Sequence, residues 1–425
     1  MNATPLDLET LLQAIRERDA AFRVRTRLQP AGGPGEKVFP PTYAGGVYAL
    51  ETRRIDGRDA NCVLMSSVAE QANRAEEALR RRWEEDDLPL PMISVDFKGK
   101  GLIGLHELTV FDAPHRIADA LLRDSFLDGK PFRFSPPGEA LTLASNRDVT
   151  DLFHWSPSAL IFGVWDSTGP RGGLGVKFPR ALASEIIAID IATGVKTSSR
   201  IDPAGIEIKA AELYEAAAGP EEEPGRWVLE PNKAKQEKGK PVPVTGGGEK
   251  GRPSAVNHGN IAPSVEKQAG GITMDHALQT SVLSLTALRR LRFPRAFDGE
   301  AFDKQQRREA EPAAWAALAA LGLAAITFAR EEGYFLRSRC HLVPEKSEFL
   351  FERIGANGET RGLYSLDADG AQQLLIDAQD AAAAHGLTWR EEPVLLEPAE
   401  KLVTLIRKSQ EIDTQQSGES DDGTA

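Results

Sequence analysis

From Pro312 to Ala329 the chain runs 18 residues without a charge, and a segment that apolar has to be buried, in lipid or in protein. Its length approaches that of a bilayer span. Alanine dominates the run, however, and gains little in hydrocarbon, while Glu311 and Arg330-Glu331-Glu332 bracket it. The reading is therefore a buried core helix with Pro312 in its first turn. Such a helix needs apolar partners on all sides. A chain of 425 residues, 41% hydrophobic and 27% charged, can supply them. That composition excludes general disorder, collagen-like repeats and coiled coil, and the length allows one elaborated domain or two modest ones.

Charge narrows the function. With 51 Lys+Arg against 63 Asp+Glu the net charge is −12, which excludes a generally basic nucleic-acid coat but leaves room for a local basic groove. Cys62 and Cys340 lie in apolar stretches and are too few for a disulfide scaffold, as suits a reducing compartment. Leu6 to Ile15 reads as an amphipathic acidic helix without a basic leader or a cleavage site, so no export is expected.

Between Gly219 and Gly271, 17 of 53 residues are Gly or Pro. A stretch of that kind reads as an insertion or linker. Its middle, Arg226 to Arg252, carries seven Lys/Arg against three Glu. Glu411 to Ala425 reads as a frayed acidic tail. The expected divisions are an N-terminal helical extension (1–42), the first part of a core (43–215), the basic insertion (216–271), the second part of the core with added helices (272–410) and the tail (411–425).

Outside the insertion strands and helices mix without a regular βα count, so the expected class is α+β. Val47–Leu50 and Ala60–Met65 are β-type runs, and the second feeds a helix from about Ser67, where Ser67 and Glu70 have capping-box spacing. Ala159–Trp165 and Leu174–Phe178 read as strands around a glycine-rich connection, with another strand at Glu185–Ile191. The spacing of Leu278, Val282, Leu285 and Leu288 predicts a helix ending in Arg289, Arg290 and Arg292. Tyr334–Val343 and Glu348–Ile354 are β-rich, while Asp367–His385 and Pro398–Lys408 are helical.

None of the seven histidines pairs at i, i+4, and there is no C-x-x-C, so no metal site is expected and no cofactor is implied. A G-x-S-x-G elbow is missing too. Asp166-Ser167-Thr168-Gly169 has the look of an aspartic-protease loop, but no second copy supplies the partner carboxylate. The stretch Gly163 to Lys177 superficially resembles a P-loop with the wrong glycine-lysine spacing. It offers five glycines with Thr168, Arg171 and Lys177 around them. Backbone amides and a few cations suit an extended phosphate chain; a plain glycine-rich hairpin would look similar, and both readings stay open. The helix start at Ser66-Ser67 presents amide groups to phosphate oxygens, with Gln71, Asn73 and Arg74 in the next two turns. Arg289 to Arg308 holds seven Lys/Arg against three acids. These features describe a groove rather than a coat.

The series Val47-Tyr48-Ala49-Leu50-Glu51-Thr52, Ser66-Ser67-Val68-Ala69-Glu70-Gln71-Ala72-Asn73-Arg74, Ser158 to Ser167 and Arg171-Gly172-Gly173-Leu174-Gly175-Val176-Lys177-Phe178 resembles the backbone subunit of type I-G, formerly I-U, CRISPR effector complexes. That family belongs to the repeat-associated RNA-binding (RAMP) superfamily. The resemblance covers about residues 43–215, and more loosely 272–345. It implies an RRM-like, ferredoxin-like core with large insertions, and several copies polymerising along CRISPR guide RNA in the cytoplasm of a prokaryote. It further implies a large subunit and a fused guide-end-capping and processing subunit as partners, target DNA pairing through the guide, no membrane, and cleavage left to a recruited helicase-nuclease. An aromatic-rich RNP motif is lacking, which favours backbone contacts over base stacking on the sheet.

A protein that polymerises on any guide has to ignore base identity and hold phosphates and sugars. The expected RNA contacts are Ser66, Ser67, Gln71, Asn73 and Arg74 from the first helix, and Thr168, Arg171, Gly172, Gly173 and Lys177 from the glycine-rich loop. Arg289 and Arg290 follow from the helix after the insertion. No catalytic residue is expected. The alternatives are a metal-independent ribonuclease that processes precursor guides, for which His276 with Arg289 and Arg290 is the nearest arrangement, and a scaffold that binds only protein.

Overall fold

The computed structural model describes residues 3–86, 88–170, 175–219, 222–246 and 248–417. The fold is α+β. The charge-free run lies inside a 28-residue helix, Lys304–Glu331, and is buried almost throughout from Ala310 to Phe328. Asp303 caps it, accepting from the amides of Gln305 and Gln306, while Gln306 completes the capping box. Pro312 therefore falls inside the helix rather than in its first turn. The charged stretch before Glu311 also has good helix formers, so capping, not apolarity, sets the start. By length and hydropathy this helix could cross a membrane, yet 83% of its most apolar window is buried in protein.

Two compact units divide the chain. One gathers the residues up to Thr193 with Gly271–Leu402, and the other Gly194–Gly270 with the chain from Val403 onward. In chain order, the first contains β1 (Thr4–Pro5), α1 (Leu8–Arg16), β2 (Ala21–Pro30), β3 (Leu50–Ile55), β4 (Arg58–Ser66), α2 (Val68–Asp86), β5 (Leu182–Ile189) and β6 (His276–Ser284). There follow α3 (Lys304–Glu331), β7 (Tyr334–Arg337), β8 (Cys340–Pro344), β9 (Leu350–Ile354), β10 (Thr360–Ser365) and α4 (Ala368–Ala383). Its ten-stranded sheet runs β1-β10-β9-β2-β6-β5-β4-β3, with β8 pairing both β2 and β7. The neighbours β9, β2, β6, β5 and β4 are all antiparallel.

The strands alternate, so each face has its own chemistry. On one face Ser184, Gln279, Ser281 and Leu283 meet the helices: Gln71 of α2 hydrogen-bonds Ser184 and Gln279, and Gly322 of α3 lies so close to Leu283 that a Cβ would stand 2.8 Å from its Cδ1. The other face carries Arg23, Arg25 and Arg27 along β2, paired with Glu352 and Glu345. A smaller five-stranded sheet in the same unit joins residues 125–131 to Val394–Pro398, Ile93–Asp96 and Glu107–Thr109.

Two expected elements come out differently. The segment around Leu278 and Val282 is the strand β6, and only Leu285–Leu288 is helical. Its inward positions include the polar Gln279 and Ser281, which hid the period of two behind an apparent helical spacing. Ala159 to Phe162 belongs to a short helix, Pro157–Phe162, started by its proline and stopped at Gly163.

Between Gly194 and Gly270 the second unit is built largely on two-stranded ladders, and from Val403 to Ser417 it is helical. Lys196–Arg200 pairs with Ile261–Glu266, Tyr214–Glu215 with Trp227–Val228, and Gln236–Glu237 with Lys240–Pro241. Its few buried apolar side chains include Leu213, Val228 and Ala234, and Asp202 ties loops together by accepting from the amides of Gly259 and Ala204.

Candidate nucleic-acid interface

The β4–α2 junction is built largely from internal hydrogen bonds. Ser67 caps α2 by accepting from the amide of Glu70 at 3.2 Å. Ser66 and Gln71 are buried. Gln71 donates to Ser66 Oγ at 2.9 Å and accepts from Gln279 Nε2 at 2.9 Å and Ser184 Oγ at 3.2 Å. Gln279 in turn accepts from the Tyr334 hydroxyl at 2.8 Å. This polar string locks the helix to the sheet and occupies both side chains. Arg74 donates to the carbonyl of Leu336 at 2.6 Å, joining α2 to β7. Asn73 alone of this group is exposed.

Beside Arg74, the β7–β8 hairpin presents chemistry that reading the motifs missed. Arg337 donates to the Met65 carbonyl at 2.9 Å and holds the hairpin against the end of β4. Phe335 is 60% exposed and meets His341 edge-on. At the tip, the Arg339 guanidinium lies 4.1 Å from the Phe39 ring centroid. The alternation of Phe335, Arg337, Arg339 and His341 in a β-rich run was the available signal.

The two ends of the glycine-rich segment pair as a two-stranded hairpin, with Trp165 opposite Lys177 and Val164 opposite Phe178. Arg171, Gly172 and Gly173 lie outside the described residues. Asp166 is 1% exposed and is gripped by Arg133, whose Nη1 and Nη2 reach its two oxygens at 2.7 and 2.9 Å. That pairing holds its carboxyl below the usual range. Thr168 accepts from Arg133 at 3.1 Å and from Arg123 at 3.4 Å, so its hydroxyl helps to fix the loop. Lys177 is exposed, its ammonium 5.1 Å from the centroid of the half-exposed Trp165 ring.

Behind the hairpin, Arg116 binds both oxygens of Glu76 at 2.6 Å and donates to the Gly163 carbonyl at 3.0 Å. Burial pushes the Glu76 carboxyl up to about 7, against the pull of Arg116. Arg180 donates to the Phe162 carbonyl at 3.1 Å; its pKa is depressed, first by burial and then by the neighbouring Arg116. Arg116 and Arg180, with His115, Trp165 and Lys177, line a surface pocket of about 270 Å³.

Arg289 closes the β6 end of the sheet, donating to the Asp19 carbonyl at 2.7 Å, and Arg290 is exposed. His276 opens β6 and bonds Asp275 at 2.7 Å, whereas both arginines follow the strand's far end, so the three are not brought together. Among the described residues no cluster of three or more His, Cys, Asp or Glu side chains is placed to hold a metal ion.

Most arginines of this acidic chain are already paired: Arg23, Arg53, Arg58, Arg116, Arg133, Arg295 and Arg353 each bind a carboxylate. Among the described residues, others have no carboxylate within 4.0 Å, Lys177, Arg180, Arg290 and Arg339 among them. Two of these four lie against aromatic rings.

Unpaired cations set against aromatic rings, as Lys177 and Arg339 are, suit contact with a polyanion. Residues 22–193 match the family of CRISPR-associated protein GSU0053, which indicates a CRISPR-associated protein with a role in CRISPR defence beside other CRISPR components. No curated protein matches the chain.

Proposed function

We propose that the chain is a non-catalytic backbone subunit of a type I-G CRISPR complex, polymerising along guide RNA and presenting it to target DNA. The observation that carries this reading is a group of cations without a carboxylate partner, Lys177, Arg180 and Arg339, two of them backed by Trp165 and Phe39 on separate hairpins. Backbone amides and isolated cations grip sugar and phosphate without reading bases. Asn73 and Ser67 stand at the start of α2, next to the Arg339 hairpin, and complete the proposed track. Strand order adds support for an RRM-like core. The run β9-β2-β6-β5, with α2 entering between β2 and β5 and α3 between β6 and β9, is the pattern of a split βαβ unit, elaborated by the β3–β4 hairpin before α2. In this reading further copies of the chain, the large subunit and the guide-processing subunit are the protein partners.

Expression beside a cognate repeat array and the sister subunits tests it. The purified particle is expected to carry RNA of uniform length, seen as a raised ratio of absorbance at 260 to 280 nm, and to leave added precursor transcript uncut. Protein free of RNA under those conditions overturns the reading.

A further inference from the structure

We propose that the Trp165 hairpin forms a single-nucleotide subsite, in which the indole stacks one base of single-stranded RNA while Arg180 and Lys177 hold the adjoining phosphate. This rests on the RNA-binding reading above and adds a place where the strand is gripped by its base as well as its backbone. Three observations converge on it. Trp165 is 52% exposed, although a two-stranded hairpin could have turned so large an apolar ring inward. Lys177, directly across the ladder, sets its ammonium against that ring, covering part of it with positive charge and leaving the rest open to a planar ligand. Such stacking tolerates any base, because every base has a π-face.

The third observation is the charge behind the ring. Arg116 takes both oxygens of Glu76, and Arg180 has no carboxylate within 4.0 Å. The third nitrogen of Arg116, Nη1, donates to the Gly163 carbonyl. Arg180 uses only its Nε internally and so brings an unneutralised cation to a pocket shared with Trp165, Lys177 and His115. The close packing is specific: a Cβ on Gly163 would stand 2.9 Å from Arg180 Cγ and 3.0 Å from its backbone nitrogen. Surplus charge beside an exposed indole suits the phosphate and base of one nucleotide.

The full-length protein, titrated by fluorescence anisotropy with a labelled oligouridylate of about twelve nucleotides over a series of salt concentrations, decides the matter. Trp165→Ala is expected to weaken binding about tenfold with the salt dependence unchanged, and Trp165→Phe to recover most of that loss. Arg180→Gln is expected to lower the slope of log affinity against log salt by about 0.7. Affinity of Trp165→Ala within about twofold of wild type, or a Phe variant no better than the Ala variant, overturns the subsite while the RNA-binding reading stands. Wild-type protein that binds no RNA overturns both.

Discussion

Arg133 and Asp166 form a two-point ion pair at the neck of the glycine-rich loop, with both carboxylate oxygens engaged and the aspartate almost fully buried. Arg133→Ala leaves a buried carboxylate without its cation, which costs about 3 kcal/mol. Because the pair holds Asp166 below the ordinary aspartate value, its contribution is fully present above the unfolded pKa of 3.8 and is lost as pH falls below that toward the folded one. Urea denaturation at pH 7 is expected to show the full deficit in the variant. At pH 3 the gap between variant and wild type narrows.

Glu76 behaves with the opposite sign. Burial raises its carboxyl from 4.5 to about 7, so the folded state holds the proton more tightly than the unfolded chain does. Stability from this residue is present below about pH 4.5 and declines as pH rises through 7. In Glu76→Gln that decline disappears. Melting midpoints followed from pH 5 to pH 8 are expected to fall less steeply in the variant than in wild type.

Arg74 and Arg339 were separated by the structure, and their variants should separate as well. Arg74 spends its guanidinium on the Leu336 carbonyl and on Glu70, so Arg74→Ala costs about 1 kcal/mol of stability and changes RNA affinity little. Arg339, stacked on Phe39 at the hairpin tip, carries no such duty. Arg339→Gln is expected to leave the melting midpoint in place while lowering the salt slope of RNA binding by about 0.7. Parallel melting curves and salt-dependent titrations of the two variants check the pair.

How much of this was legible in the sequence depends on what each signal measured. The charge-free run at Pro312 could only be buried, and α3 is buried. The Ser66–Ser67 strand-to-helix switch was equally plain, because capping spacing is local. What failed was long-range: Gln71 has the residue type of a surface contact, yet Ser184 and Gln279, distant in sequence, close over it. The same polar string put Gln279 and Ser281 on the inward side of β6 and disguised a central strand as a helix. In the glycine-rich loop the cations and glycines were visible from composition. Arg116, Arg133 and Arg180, which set its charge, were not, since their roles come from the elements folded behind it.

Gly163 offers the sharpest separation of strain from contact. Its φ of 82° and ψ of 152° lie in a region essentially closed to side chains with a Cβ. The space is closed too, for a Cβ would stand 3.0 Å from the Arg180 nitrogen and 3.1 Å from the Phe178 carbonyl oxygen. Both are backbone atoms of the hairpin and cannot swing aside. Gly163→Ala therefore carries the conformational cost and an overpacking cost, together about 3 kcal/mol. Gly99 provides the comparison: its φ of 72° is also positive, but nothing lies within 4 Å of the added methyl, so Gly99→Ala costs only about 1 kcal/mol. Denaturation of both variants is expected to show that difference. Gly163→Ala alone should weaken RNA binding, because the displaced strand carries Arg180 away from Trp165. Equal destabilisation of the two variants with RNA affinity intact would mean that the close packing at Gly163 does not position the pocket.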